Sequence, residues 1–153
     1  PDLTFETSMQ LHFGGRPINL RYFGKAHTSG DITIHLPEER IAFTGDVALD
    51  SGVPFLGDSY PEEWPATDDR LVALPVDRFV AGHGPIGNHE ALTEARDFIH
   101  ELVGHLKAAI QEGQDESAAS SSVVNALDPQ FGGWRGFDGL RENIPLVFRK
   151  LKP

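Results

Sequence analysis

Apolar and polar residues alternate from the start of the chain. Met9, Leu11 and Phe13 flank Gln10 and His12, the two-residue period of a half-buried strand. Gly14-Gly15 reads as a hairpin turn, and Ile18, Leu20 and Tyr22 resume the alternation. Ile32, Ile34 and Leu36 predict a third strand closed by a turn at Pro37-Glu38-Glu39, and Ile41-Ala42-Phe43 a fourth. The opening therefore reads as a β-meander. Val47 to Tyr60 is a Gly-, Pro- and Asp-containing loop of the length that often carries function.

The period then lengthens. Pro61, as a first-turn proline, starts a helix running to about Leu74, with Trp64, Leu71 and Leu74 inward. Arg78 to Ala81 is a short buried strand. Asn88 caps the clearest helix, where Leu92, Ala95, Ile99, Leu102, Leu106 and Ala109 recur at helical spacing to about Glu112. Asp115 caps a Ser-rich helix ending near Leu127. Phe131 to Gly136 is a Gly/aromatic loop, and a last helix over Leu140 to Leu151 is expected to kink or break at Pro145. The expected organisation is one domain over residues 1–153: strand-rich at 1–46, mixed at 47–87 and helical at 88–153.

Composition narrows the function classes. The net charge is −10, with 23 acidic against 13 basic residues, and this balance argues against nucleic acid and anionic membrane surfaces as partners. No apolar run approaches the roughly 20 residues that span a bilayer, so a soluble, cytoplasmic protein is the expectation. The chain has no cysteine, so any metal must be held by His and carboxylate. It begins at Pro1 and its one methionine is Met9, which leads us to expect a fragment of a larger domain.

Three segments share one format: a short apolar strand, then small residues, then one ligand-type side chain. They are Tyr22-Phe23-Gly24-Lys25-Ala26-His27, Ile41-Ala42-Phe43-Thr44-Gly45-Asp46 and Phe79-Val80-Ala81-Gly82-His83. Strand ends are rigid yet reach solvent, which suits a metal site, and His and Asp ligate first-row divalent ions well. Taken singly, each residue reads equally well as a polar side chain in a turn.

The three together resemble the metallo-β-lactamase-fold hydrolases. His27-Thr28-Ser29-Gly30-Asp31 is similar to the family's HTxGD turn, Phe43-Thr44-Gly45-Asp46 to its FxGD strand end, and Gly82-His83-Gly84-Pro85 to its GHGP element, in the same order. The resemblance implies an α+β fold, the C-terminal half of a four-layer αββα sandwich. It implies that His27, Asp46 and His83 are metal ligands, Asp46 bridging two ions, and that Asp31 is a carboxylate orienting a ligating His from behind. Zinc, as one or two ions, is the implied cofactor, with iron or manganese as substitutes. The family's HxHxDH motif is absent, since no two of His12, His27, His35, His83, His89, His100 and His105 are separated by one residue. One sheet face would then need a cover, either a missing N-terminal half or a second copy in a homodimer.

The implied activity is metal-dependent hydrolysis of a small-molecule ester, thioester or lactone. The alternative is a non-catalytic remnant or dimerisation module of the same fold. His12 and His35 read as solvated strand residues, and His89, His100 and His105 receive no role. Phe55, Trp64 and Trp134 read as core packing ahead of cleft lining.

Overall fold

A computed structural model describes residues 2–152 of the chain. The elements are β1 (Ser8–Phe13), β2 (Arg16–Arg21), β3 (Thr33–Leu36), β4 (Ile41–Gly45), α1 (Trp64–Val72), β5 (Arg78–Ala81), β6 (Ile86–Asn88), α2 (His89–Gln111), α3 (Glu116–Phe131), a 3-10 turn (Phe137–Gly139) and α4 (Leu140–Leu151). The strands form one six-stranded sheet in sequence order. β1 to β4 pair antiparallel, and Gly14 and Gly15 close the first hairpin with φ of 60° and 80°, a twist that L-residues adopt with difficulty. β4 pairs parallel with β5 across α1, and β6 turns back antiparallel on β5.

The helices cover one face of this sheet. Ala42 and Phe79, paired in register on β4 and β5, are fully buried against the helical layer. Leu92, Phe98, Ile99, Leu102 and Leu106 carry the inward stripe of α2, and Leu127, Phe131, Ile144 and Phe148 continue the core through α3 and α4. Asn88 and Asp115 cap α2 and α3 as expected, accepting from Ala91 N–H and Ala118 N–H. The α+β expectation holds, with one helical layer on one sheet.

Four readings are corrected. α1 begins at Trp64, with Pro65 rather than Pro61 in its first turn. Pro61 sits in the preceding turn, where Trp64 N–H donates to Tyr60 O. α3 runs on through Pro129 to Phe131, because Leu127 and Phe131 lie one turn apart and both bury. α4 is continuous through Pro145, held by burial of Ile144, Val147, Phe148 and Leu151 despite the lost backbone donor. β6 was not foreseen: three residues are too few for a period, and its Asn88 also caps a helix.

The other sheet face is open. One register row runs Met9, Leu20, Ile34, Phe43, Val80, Ile86 across all six strands. Every member is apolar, and Ile34, Phe43 and Ile86 are exposed, as are Leu11 and Phe13 beside them.

Candidate metal centre

β2, β4 and β5 run in the same direction, since β3 is antiparallel to both β2 and β4 while β4 and β5 are parallel. The segments carrying His27, Asp46 and His83 therefore leave the sheet at one edge.

The His27 turn is tied down on several sides. Ala26 is fully buried, its N–H donates to Thr28 O at 3.0 Å, and its carbonyl accepts from Tyr60 N–H at 2.8 Å. Thr67 Oγ1 on α1 donates to Lys25 O at 2.9 Å. The His27 ring meets Trp64 edge-on, with centroids 6.0 Å apart. Trp64 is in turn held by its Nε1–H on Val47 O at 3.3 Å. Asp31 accepts from Thr28 N–H at 2.8 Å and Thr28 Oγ1 at 2.6 Å. Its carboxylate thus secures the backbone of the turn, through the residue after His27, and makes no hydrogen bond to the imidazole.

Asp46 follows Gly45, whose φ is 57°, and Gly82 N–H donates to Gly45 O at 2.9 Å. This bond joins the two loops at the sheet edge. A Cβ at Gly82 would stand 2.2 Å from Asp46 Oδ1, so only glycine leaves space for the carboxylate there. Next in sequence, His83 presents Nε2 at 3.5 Å from Asp46 Oδ2, with its side chain 75% exposed.

Asp46 and His83 are thus together, whereas among the described residues no three His, Asp or Glu side chains converge as a ligand set. The donor chemistry still fits a cation. His27 Nε2 and Asp46 Oδ1 are both buried without a hydrogen-bond partner among the described residues. Each such atom costs about 1–3 kcal/mol unless something meets it. A metal ion is a partner that would satisfy an atom of either kind.

Three polar side chains near this edge or behind it escaped the sequence reading. His35 is buried on the helix-facing side of β3, not solvated, and neither ring nitrogen has a partner among the described residues. Burial, and then the nearby Arg21 charge, push its pKa below the ordinary value. Asp68 is buried in α1 with both oxygens unpartnered. Burial holds its carboxyl well above the usual range. Its position was legible, since Trp64, Asp68 and Leu71 share one helical face. Arg135 lies across Gly52 and Gly84, and nothing in its spacing announced that contact.

The sequence profile described as Metallo-beta-lactamase superfamily matches residues 4–83. A "Metallo-beta-lactamase type 2" of Bacteroides fragilis is 29% identical over 108 residues, covering 67% of this chain and 43% of that protein. A "Hydroxyacylglutathione hydrolase" of Ruegeria pomeroyi is 32% identical over 83 residues, 54% of this chain and 32% of that protein. Among solved structures, a metallo-beta-lactamase from Pontibacter korlensis superposes with a TM-score of 0.61 at 26% identity, covering 65% of this chain and 49% of that one. The chain spans less than half the length of the curated relatives it matches. With the matched profile running through all three strand-end segments to His83, the chain belongs to the metallo-beta-lactamase superfamily.

Proposed function

We propose that this chain carries the C-terminal ligands of a metal-dependent hydrolase acting on an ester, thioester or lactone. The observation that carries this reading is the pair of orphaned, buried ligand atoms, His27 Nε2 and Asp46 Oδ1, with His83 Nε2 beside the same Asp46. His27, Asp46 and His83 would hold zinc, as one or two ions, or iron or manganese in its place. A bound zinc supplies a water whose pKa falls to about 7 and an electrophile for the acyl oxygen.

The rest is the work of the chain itself. Trp64 and the Asp31–Thr28 bonds fix the turn that aims His27. Gly82 leaves the Asp46 carboxylate its room. His83, the most exposed of the three, stands where a solute arrives first. The test is metal content of the purified chain by plasma mass spectrometry, alongside hydrolysis of an ester, thioester and lactone panel. Zinc uptake lost in Asp46→Ala and His83→Ala is the expected result. A wild-type chain that takes up no zinc, iron or manganese refutes the reading.

A second reading is favoured by the open apolar sheet face and by the want of a three-ligand group among the described residues. In it the chain is a packing module whose exposed row, from Met9 to Ile86, seats a second β-layer. That layer is either an N-terminal half of the fold or a second copy. Light scattering after size exclusion separates the two, since a homodimer doubles the 16.8 kDa chain mass.

A further inference from the structure

The helix-facing side of the sheet changes character from one end to the other. One register row runs Gln10, Asn19, His35, Ala42, Phe79, Gly87 across the six strands. Ala42 and Phe79 are fully buried, and α2 packs on β5 and β6. Over β1 and β2 the row is polar. Gln10 is exposed there, as are Ser8 and Arg21, which pair in the adjacent row. Groups of this kind need water or a ligand as partner.

That end holds an open hollow of about 520 Å³, lined by residues 7–10 and 19–23. Tyr22 N–H donates to Thr7 O at 2.9 Å, which carries the pairing past the strand ends and fixes the rim. Gln10 Nε2 donates to Asn19 Oδ1 at 2.7 Å and leaves the Asn19 NH₂ group free to donate. Arg21 makes no side-chain hydrogen bond or ion pair among the described residues, whereas Arg16, Arg40, Arg96 and Arg149 are paired with carboxylates. The lining contains no carboxylate, in a chain with 23 acidic residues. Glu6, the next acid along the chain, lines a neighbouring hollow with Phe5 and Ile32. An unpaired guanidinium without acidic neighbours in the lining makes the local field attractive to an anion.

His35 stands opposite Asn19 in the ladder and is 4% exposed. Neither ring nitrogen has a partner among the described residues, and the Arg21 charge reaches the ring. A buried imidazole N–H without an acceptor is unfavourable, and an oxyanion seated on Arg21 and Asn19 supplies one. A phosphate group suits this donor set better than a carboxylate. Its three terminal oxygens accept from guanidinium, amide and imidazole at once. Tyr22 and Phe23, half-buried, line the same hollow and would meet an apolar substituent.

We propose that this hollow binds a phosphomonoester, with Arg21 and Asn19 on the phosphate oxygens and His35 donating from behind. The site draws on none of His27, Asp46 or His83, so it stands or falls apart from the proposed hydrolase. Calorimetric titration would compare phenyl phosphate, inorganic phosphate and benzyl alcohol on chelator-treated, dialysed chain. Expected is phenyl phosphate binding that exceeds the other two and weakens with added NaCl. In Arg21→Gln its affinity falls about tenfold, the scale of a lost charge-assisted hydrogen bond. Arg21→Lys keeps the salt dependence and part of the affinity, and His83→Ala leaves binding unmoved. The His35 ring resonances, assigned by their loss in His35→Gln, shift as phenyl phosphate is added.

Equal phenyl phosphate affinity in wild type and Arg21→Gln overturns the proposal. Loss of binding in His83→Ala places the phosphate at the candidate metal centre and overturns it as well. Inorganic phosphate bound as tightly as the ester overturns the ligand class, and unmoved His35 resonances overturn the part given to that residue. Should Arg21→Gln not fold, as judged by circular dichroism, wild-type protein that binds phenyl phosphate no better than benzyl alcohol decides against the site.

Discussion

The imidazole of His35 and the carboxyl of Asp68 are buried without partners, yet their effects on stability run in opposite directions with pH. Asp68 titrates above its ordinary 3.8 in the fold, so the folded state keeps a proton that the unfolded chain has released. Its contribution is therefore whole below 3.8 and is lost as pH rises through the folded value. Asp68→Asn, which never ionises, is expected to gain on wild type by about 1–3 kcal/mol at pH 8 and to lose that advantage near pH 3.5. Thermal melts at the two pH values check this, and equal midpoints at pH 8 contradict it. His35 titrates below its ordinary 6.5, so its contribution is full above 6.5 and declines as pH falls beneath it. Gly82→Ala tests the site at the same scale. The added methyl displaces Asp46 Oδ1, and we expect zinc affinity to fall by about 10–100-fold, as when support around a ligand is lost. Zinc titration against a chromophoric chelator measures it, and unchanged affinity would sever Gly82 from the site.

At the scale of elements, periodicity and caps made α2 legible almost to the residue. Asn88 accepts from Ala91 N–H at 2.9 Å, so Asn88→Ala is expected to cost about 1 kcal/mol. That corresponds to a fall of roughly 2–4 °C in the melting midpoint for a chain of this size. A midpoint unchanged from wild type would mean the cap is replaced by water. The elements misjudged from sequence were those whose boundaries depend on packing. Leu127 and Phe131 carry α3 past a proline, and the buried face of α4 carries it past Pro145, because core burial outweighs one missing backbone donor. β6 exists only because β5 offers it an edge to pair with.

For the whole molecule the open sheet face matters most. Burying exposed Ile34, Phe43 and Ile86 is worth roughly 25 cal/mol for each Å² removed from water, so the row seeks a cover. We expect the chain to bind a hydrophobic dye such as ANS, or to self-associate, at micromolar concentration. The double variant Ile34→Glu, Phe43→Glu should lose both behaviours with its helical signal retained. A wild-type chain that is monomeric by light scattering and silent to ANS would remove the argument for a second layer. No helix among the described residues is long and apolar enough to cross a membrane, so a bilayer-spanning helix does not account for this face.

The sequence by itself determined the meander, the capped helices and the three strand-end motifs of the family, because each is written within a few neighbouring residues. Only the tertiary structure decided that β2, β4 and β5 point the same way, so that His27, Asp46 and His83 leave one edge of the sheet. It likewise decided that Asp46 meets His83 while His27 stands against Trp64, that His35 is buried, and that Arg135 lies on Gly84 from far along the chain. The physical reason is common to these cases. Strand direction, burial and side-chain contact are set by which surfaces pack together, and a local pattern of apolar and polar residues carries no record of its distant partner.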